Sequence, residues 1–455
     1  MTGGPHITFL RSAISLVLVA LVGGCATSSR LREEILSLGM VMEGTGLPVS
    51  PLFFGVNLGH YDQALVEAGH PRPSVVARLR RAGVRLLKYP GGLAADRYRW
   101  NASTNDPADV DTAAFLALCR ATGSEPVITV NSQAGPELAA AWVRYTNQGP
   151  GPPVRYWEFG DEAWGPWAPG HTDPATYVTR FRAAQAAMEG VDPAIRLAAN
   201  VSLDPARAQA WNRPVLAGLA DILEAVSFTF FPQDPGEEDH RTLQESTERF
   251  REQLAGLRAQ VRELLGSRAQ GVLFLLAGYN SVSWDPGPQT LGEGQLLWLA
   301  EMVGALIEAG VDLATYWTLL SEPSPRGGDY GLLQGPPAFR ARPAYQVFAA
   351  LRELPGGRWW RLPTGLPDVG LQVLESAAGQ VSVLLTNWSA AMRLVDLRLR
   401  YQGRVLHVGE AWQVTAGGTE ELVLQGLGGP IRVPGRSVIF AHLVPDSEAV
   451  TDYNQ

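Results

Sequence analysis

The stretch VLFLLAGYNSVSW, residues 272–284, runs six apolar residues into Gly278 and then breaks into a polar and aromatic loop. A short apolar run of this kind reads as a buried strand, and in a parallel barrel the loop behind such a strand is where chemistry sits. Seven more runs share its texture: LFFGVN, VRLLKYP, PVITVN, VRYWEFG, IRLAANV, AVSFTFF and LATYWTLL. Helical patterns alternate with them, among them PSVVARLRRAG, DTAAFLALCRATG, PELAAAWVRYTN, DPATYVTRFRAAQAAMEG and GQLLWLAEMVGALIEAG. Several open on Asp, Pro or Ser and several close on Gly, as helix capping favours. Eight such units predict an α/β fold, a (β/α)8 TIM barrel over residues 47–354. An open doubly wound sheet would want a glycine-rich phosphate turn after the first strand, and GVNLGHYD lacks one.

The longest helical pattern covers residues 237–266. Its apolar positions Leu243, Phe250, Leu254, Leu257, Val261 and Leu264 share one face, which suits the sixth barrel helix with a solvated outer side. After Pro355 the texture changes to short alternating segments such as GLQVLES, QVSVLLTNW and RSVIFAHLV, which predict an antiparallel β-sandwich over residues 355–447, followed by a tail at 448–455.

The N-terminal region carries Arg11, then the apolar run AISLVLVALVGG and Cys25. That run is short of the roughly 20 residues a membrane span needs and reads as an export signal over residues 1–24. LVGGC resembles the bacterial lipoprotein box, which implies acylation of Cys25, a tether over residues 25–46 and an exported, membrane-anchored protein of the cell envelope. The remaining cysteine, Cys119, lies in an apolar helix pattern and is expected to be a small buried hydrophobe.

With 37 basic and 45 acidic residues the formal charge is −8, and the basic residues form no long cluster. Nucleic acid is therefore not an expected partner. The seven histidines show no metal-ligand spacing, so neither a metal nor a cofactor is expected.

The strand ends carry the functional signal. The second runs into KYPGGLAADRYRW, the third into ITVNSQAGPELAAAWVRYTN and the fourth into YWEFGDEAWGPW. In these segments the chain resembles the α-L-arabinofuranosidases and their relatives among the clan A retaining glycoside hydrolases, over roughly residues 51–354. The resemblance implies that Glu162, after Gly160 and Asp161, is the general acid/base; Trp157, Trp164 and Trp167 are at hand to hold it partly buried and protonated. Asp161 replaces the asparagine that in the family holds a sugar hydroxyl.

Retention needs a second carboxylate about 5 Å from the first. The family places it at the end of the seventh strand, where this chain reads Ala277, Gly278, Tyr279, Asn280. Gly278 thus stands at the nucleophile position without a carboxylate. Two further departures accompany it. Lys88, the single lysine of the chain, falls where the family has an arginine, and Thr229, Phe230, Phe231, Pro232 falls where relatives show a histidine and aromatics. Asp285 is the candidate substitute nucleophile. Glu158 has the parity of the barrel interior and reads as structural.

For sugar binding the resemblance and the strand-end positions nominate Lys88, Asp96, Trp100, Asn131, Asp161, Trp164, Tyr279, Asn280 and Trp317, the polar groups for hydroxyls and the aromatic faces for rings. Three readings stand open: a lipoprotein that binds an oligosaccharide or polysaccharide and has lost ordinary retaining hydrolysis; an active glycosidase of arabinofuranosidase type with a relocated carboxylate; and a non-catalytic scaffold for a protein partner.

Overall fold

The computed structural model describes residues 35–42, 44–102, 106, 109–149, 151–424 and 429–445. The expected leader, Cys25 and the tail at 448–455 lie outside the described residues.

Eight parallel strands close into a barrel: β1 (Gly55–Asn57), β2 (Leu86–Tyr89), β3 (Glu125–Val130), β4 (Tyr156–Phe159), β5 (Arg196–Asn200), β6 (Ala225–Phe230), β7 (Leu273–Tyr279) and β8 (Leu313–Tyr316). β8 pairs back onto β1 through Thr315 and Gly55. The principal outer helices are α1 (Pro73–Arg81), α2 (Thr112–Thr122), α3 (Pro136–Asn147), α4 (Pro174–Glu189), α5 (Arg213–Leu219), α6 (His240–Leu265), α7 (Glu293–Glu308) and α8 (Pro343–Ala350). Side-chain caps set several of their starts: Asp111 accepts from the Ala114 amide, Asp173 from Thr176 and Asp239 from Thr242.

Inside the barrel the residue types change by layer. Leu86, Val127, Ala198, Ala225, Leu275 and Leu313 form an apolar floor. Two residues further along the same strands, Lys88, Thr129, Asn200, Ser227, Ala277 and Thr315 form the next level, joined by Glu158 of β4. The period of two along a strand puts both levels on the inner face. Burying polar groups demands partners. Thr129 donates to Glu158 at 2.9 Å, Asn200 to Ser227 at 2.9 Å and Asn57 to Thr315 at 3.1 Å.

The C-terminal domain is mostly antiparallel: β9 (Arg358–Leu362), β10 (Val369–Glu375), β11 (Val381–Asn387), β12 (Arg393–Tyr401), β13 (Arg404–Thr415), β14 (Gly418–Glu421), β15 (Ile431–Val433) and β16 (Ser437–Pro445). With two N-terminal strands these are hydrogen-bonded into one ten-stranded sheet around a core that includes Leu371, Val383, Val395, Leu397 and Ile439. One of those strands, Ile35–Val41, runs parallel to β12, with Leu38 opposite Leu397 and buried. The other, Leu47–Pro48, pairs with β9. The tether expected at 25–46 is thus corrected over its second half, and the barrel's expected first residues belong to the sheet. The physical reason is that Ile35–Val41 supplies an apolar face that an exposed tether would leave in water.

Packing of this domain on the barrel explains why α7 is apolar on every side. All its residues from Gly294 to Ile307 are buried. Its one buried carboxylate, Glu301, lies 3.1 Å from Arg361 of β9 and accepts from Thr386 of β11.

Candidate active site

A cleft of about 910 Å³ opens at the C-terminal ends of the strands. Its floor and walls include Asp161 and Glu162 after β4, Thr229 and Phe231 at β6, Gly278 on β7 and Trp317 after β8.

Glu162 is fixed at both oxygens. Trp167 Nε1 donates to Oε2 at 2.7 Å and Thr229 Oγ1 to Oε1 at 2.6 Å. The chain turns sharply to present it: φ is +72° at Gly160 and +50° at Glu162. A Cβ at Gly160 would lie 2.8 Å from Ser132 Oγ and 3.1 Å from Asp96 Oδ1, so only glycine fits. A non-glycine residue with positive φ is uncommon, and such positions cluster at functional sites.

Beneath Glu162 lies a buried charge network. Lys88 and Glu158 are each 1% exposed, with Nζ 2.8 Å from Oε2, and Asp161 Oδ2 lies 4.0 Å from the same ammonium. Burial works against the lysine's charge, but Glu158 and Asp161 outweigh it and hold Lys88 above the usual lysine range. For Asp161 burial dominates: its carboxyl is pushed up to about 8, with Lys88 opposing and Glu158, Glu162 and Asp96 adding to the rise. Ion pairs this deep hold together because each charge would be stranded without the other.

Gly278 is buried on β7, opposite Thr229 in register. A Cβ built there meets Thr229 Cγ2 at 3.7 Å and Phe231 Cζ at 3.8 Å, both ordinary contacts. One threonine therefore touches both parts of the site, its methyl toward residue 278 and its hydroxyl on Glu162.

Aromatic faces surround the cleft. Trp164 and Trp167 meet edge to face, and the guanidinium of Arg207 lies 5.2 Å and 5.0 Å from their rings. Trp167 is 50% exposed and Trp284 64%. Trp317 packs so close to Gly92 that a Cβ there would lie 2.2 Å from its ring.

Of the sequence-nominated residues, Glu162, Gly278, Asp161, Trp164 and Trp317 line this cleft. The others are placed elsewhere. Asp96 is a buried latch that accepts from Ser132 N at 2.8 Å, Ser132 Oγ at 2.6 Å and Asp161 N at 3.0 Å. Asn131 caps its own turn, accepting from Gln133 N and donating to the Tyr98 carbonyl. Trp100 stacks on Trp142 and donates to the Leu138 carbonyl. Tyr279 points to the helix layer, against Trp298 and Tyr316. Asn280 is fully buried and donates to Tyr316 Oη and the Trp317 carbonyl. Lys88 is shut beneath Asp161, and acts on the cleft through that carboxyl. Asp285, the candidate substitute nucleophile, accepts from Ser324 and is not among the cleft's lining residues. In each case a neighbouring donor, carbonyl or ring claims the side chain before a ligand can.

Sequence reasoning missed Arg207 and its partner Asp204, 3.1 Å away, because they belong to a helical segment after β5, Pro205–Arg207 capped by Asp204, too short to carry a periodic signal. Thr229 was visible only as a departure at the sixth strand, and its bond to Glu162 had no signature.

No family model matches the chain. In sequence it is similar to α-L-arabinofuranosidase C of Emericella nidulans, 28% identical over 158 residues, covering 28% of this chain and 31% of that protein. It is also similar to the intracellular exo-α-(1→5)-L-arabinofuranosidase of Streptomyces lividans, 25% identical over 226 residues, covering 39% of this chain and 34% of that protein. The match thus spans about a third of the length of these curated relatives. In structure it is similar to the α-L-arabinofuranosidase of Thermotoga maritima, with TM-score 0.72 and 16% identity over 90% of this chain and 99% of that one. The GH51 arabinofuranosidase of Xanthomonas axonopodis pv. citri gives TM-score 0.71 and 17% identity over 90% and 99%. The chain therefore has an arabinofuranosidase-like glycoside hydrolase fold, a closed eight-stranded barrel followed by a β-domain.

Proposed function

We propose that this protein binds an oligosaccharide or polysaccharide in the strand-end cleft and lacks the two-carboxylate retaining hydrolysis of the enzymes it resembles. The observation that carries the reading is the pairing of a fully held Glu162 with an open Gly278 across Thr229. Retention requires a carboxylate on the far side of the sugar from the acid. The other carboxylates that line the cleft, among the described residues, are occupied or adjacent to the acid: Asp204 lies against Arg207, Asp234 accepts from Ser283 and Asp161 sits beside Glu162 over Lys88. Exposed Trp167 and Trp284 line the cleft and offer apolar faces to sugar rings. By likeness to relatives named for arabinofuranosidase activity, arabinofuranosyl glycans are the first to test. We further propose that the protein is exported and anchored by acylation at Cys25.

Titration calorimetry against arabino-oligosaccharides, xylo-oligosaccharides and gluco-oligosaccharides tests the binding. Parallel rates on aryl arabinofuranosides, xylosides and glucosides test the lost step, with and without azide, a small anion that fits where a side chain at 278 would begin. Binding together with azide-dependent release of the aryl group is expected. Robust, azide-insensitive turnover of these substrates would overturn the reading.

A further inference from the structure

The space at Gly278 has a chemistry as well as a size. A Cβ there would rest at ordinary contact distance on the methyl of Thr229 and the ring edge of Phe231, so this recess of the 910 Å³ cleft is walled by apolar atoms where a side chain would begin. The two adjacent carboxyls that line the cleft differ in their surroundings. Glu162 receives two hydrogen bonds. The Asp161 carboxyl receives none among the described residues, and its nearest cation is Lys88 at 4.0 Å. An acid without a protein nucleophile can still cleave a glycoside that carries its own nucleophile, the carbonyl oxygen of an acylamino group on C2.

We propose that the cleft hydrolyses a 1,2-trans 2-acylamino-2-deoxy glycoside, the recess at Gly278 admitting the acyl group beneath C1 while Asp161 holds its N–H. This rests on the reading of the cleft as a glycan site and names the sugar class. In the first step the amide oxygen bonds to C1 as the C1–O bond to the leaving group breaks. Glu162 gives its proton to the departing oxygen, and the amide proton passes to ionised Asp161, leaving a neutral cyclic oxazoline. In the second step water adds at C1 and loses a proton to Glu162, the ring C1–O bond breaks, and nitrogen regains its proton from Asp161. One water is consumed, both carboxyls return to their starting states, and two inversions give net retention. The step uses the ionised form of Asp161, which faces Lys88, Glu158, Glu162 and Asp96 and gains population as pH rises toward about 8. kcat/KM for such a substrate therefore climbs over that range on its Asp161 limb.

The test uses the mature protein with aryl 2-acetamido-2-deoxy-β-D-glucopyranoside and β-D-galactopyranoside, their 2-hydroxy counterparts, and a thiazoline analogue of the cyclic intermediate. Turnover of an acetamido glycoside without azide is expected, with none of the 2-hydroxy glycosides. The thiazoline should inhibit the unmutated protein. Asp161→Asn, which keeps the size of the side chain, should lower kcat by about 10²- to 10³-fold with a smaller change in KM, the loss typical of one preorganised group that acts on developing charge. Gly278→Glu should remove acetamido turnover and thiazoline inhibition together by filling the recess. If the thiazoline or the glycosides bind without turnover, or if Asp161→Asn retains full activity, this inference falls and the glycan-binding reading stands. If neither these compounds nor the neutral oligosaccharides bind, the glycan-binding reading falls with it.

Discussion

Gly278→Glu asks whether the strand ends lack one carboxylate and little else. The backbone at 278 is outside the left-handed region, and a Cβ there meets nothing nearer than 3.7 Å, so the substitution starts without steric strain. Thr229 spans the gap, with Cγ2 facing the new Cβ and Oγ1 2.6 Å from Glu162 Oε1. Retention would need the new carboxylate about 5 Å from Glu162, on the far side of the Thr229 side chain. Two carboxylates about 5 Å apart in an effective dielectric of about 20 repel by about 3 kcal/mol. That is about 2 pKa units of mutual coupling in the variant's carboxylate pair. Lys88 relieves little of it, being committed to Glu158 at 2.8 Å. Two outcomes are expected. Urea unfolding should show the variant destabilised by up to about 3 kcal/mol at pH 8, where both carboxylates tend to ionise, and by less at pH 5. Initial rates on aryl arabinofuranosides should rise above those of the parent, with retention seen by NMR of the first-formed anomer. A folded variant that shows neither the pH-dependent loss nor any gain in rate would refute the placement of residue 278 opposite Glu162.

Four further outcomes are expected, three from the geometry of the site and one from the N-terminal sequence. Lys88→Met strands Glu158 at 1% exposure and should cost about 3–5 kcal/mol in chemical denaturation, most of it recovered by adding Glu158→Gln; a loss under about 1 kcal/mol would mean the pair is solvated. Asp161 holds a proton up to about pH 8 in the folded protein but releases it near 3.8 when unfolded, so it draws stability down as pH rises between those values and no further above them. Asp161→Asn should thus stabilise at pH 8 by a few kcal/mol, at most about 5, and little at pH 4, and equal effects at both would contradict this sign. Trp284→Ala, at a 64% exposed site, should weaken glycan binding about 2- to 10-fold by calorimetry with no change in Tm. Cys25→Ser should leave the protein unacylated and in the soluble fraction on membrane flotation, and continued membrane association would argue against the anchor.

The barrel was legible because its signals are local. Eight apolar runs, the caps at Asp111 and Asp173, and the one-sided pattern of α6 each arise from residues a few positions apart, where the periods of strand and helix operate directly. The position of Glu162 was legible too, since Gly160, Asp161 and Glu162 follow a strand with aromatic neighbours, and the structure places that carboxylate in the strand-end cleft. Tertiary structure alone decided the rest. Ile35–Val41 was read as tether because its partner strand begins at Arg393, and no local period reports a pairing across such a distance. The polar residues at the strand ends offered similar chemistry on paper, yet Asp96, Asn131 and Asn280 are claimed by Ser132, Gln133 and Tyr316, and Tyr279 by the helix layer. Sequence types a donor or a ring; only folding sets which neighbour reaches it first. The same holds for the groups that define the cleft. Lys88 and Glu158 come from different strands, Thr229 and Glu162 lie 67 residues apart, and the space at Gly278 is bounded by side chains of β6 and the loop behind it. A glycine in a sequence records a missing side chain, and whether that leaves a recess or a filled core depends on the atoms that close around it.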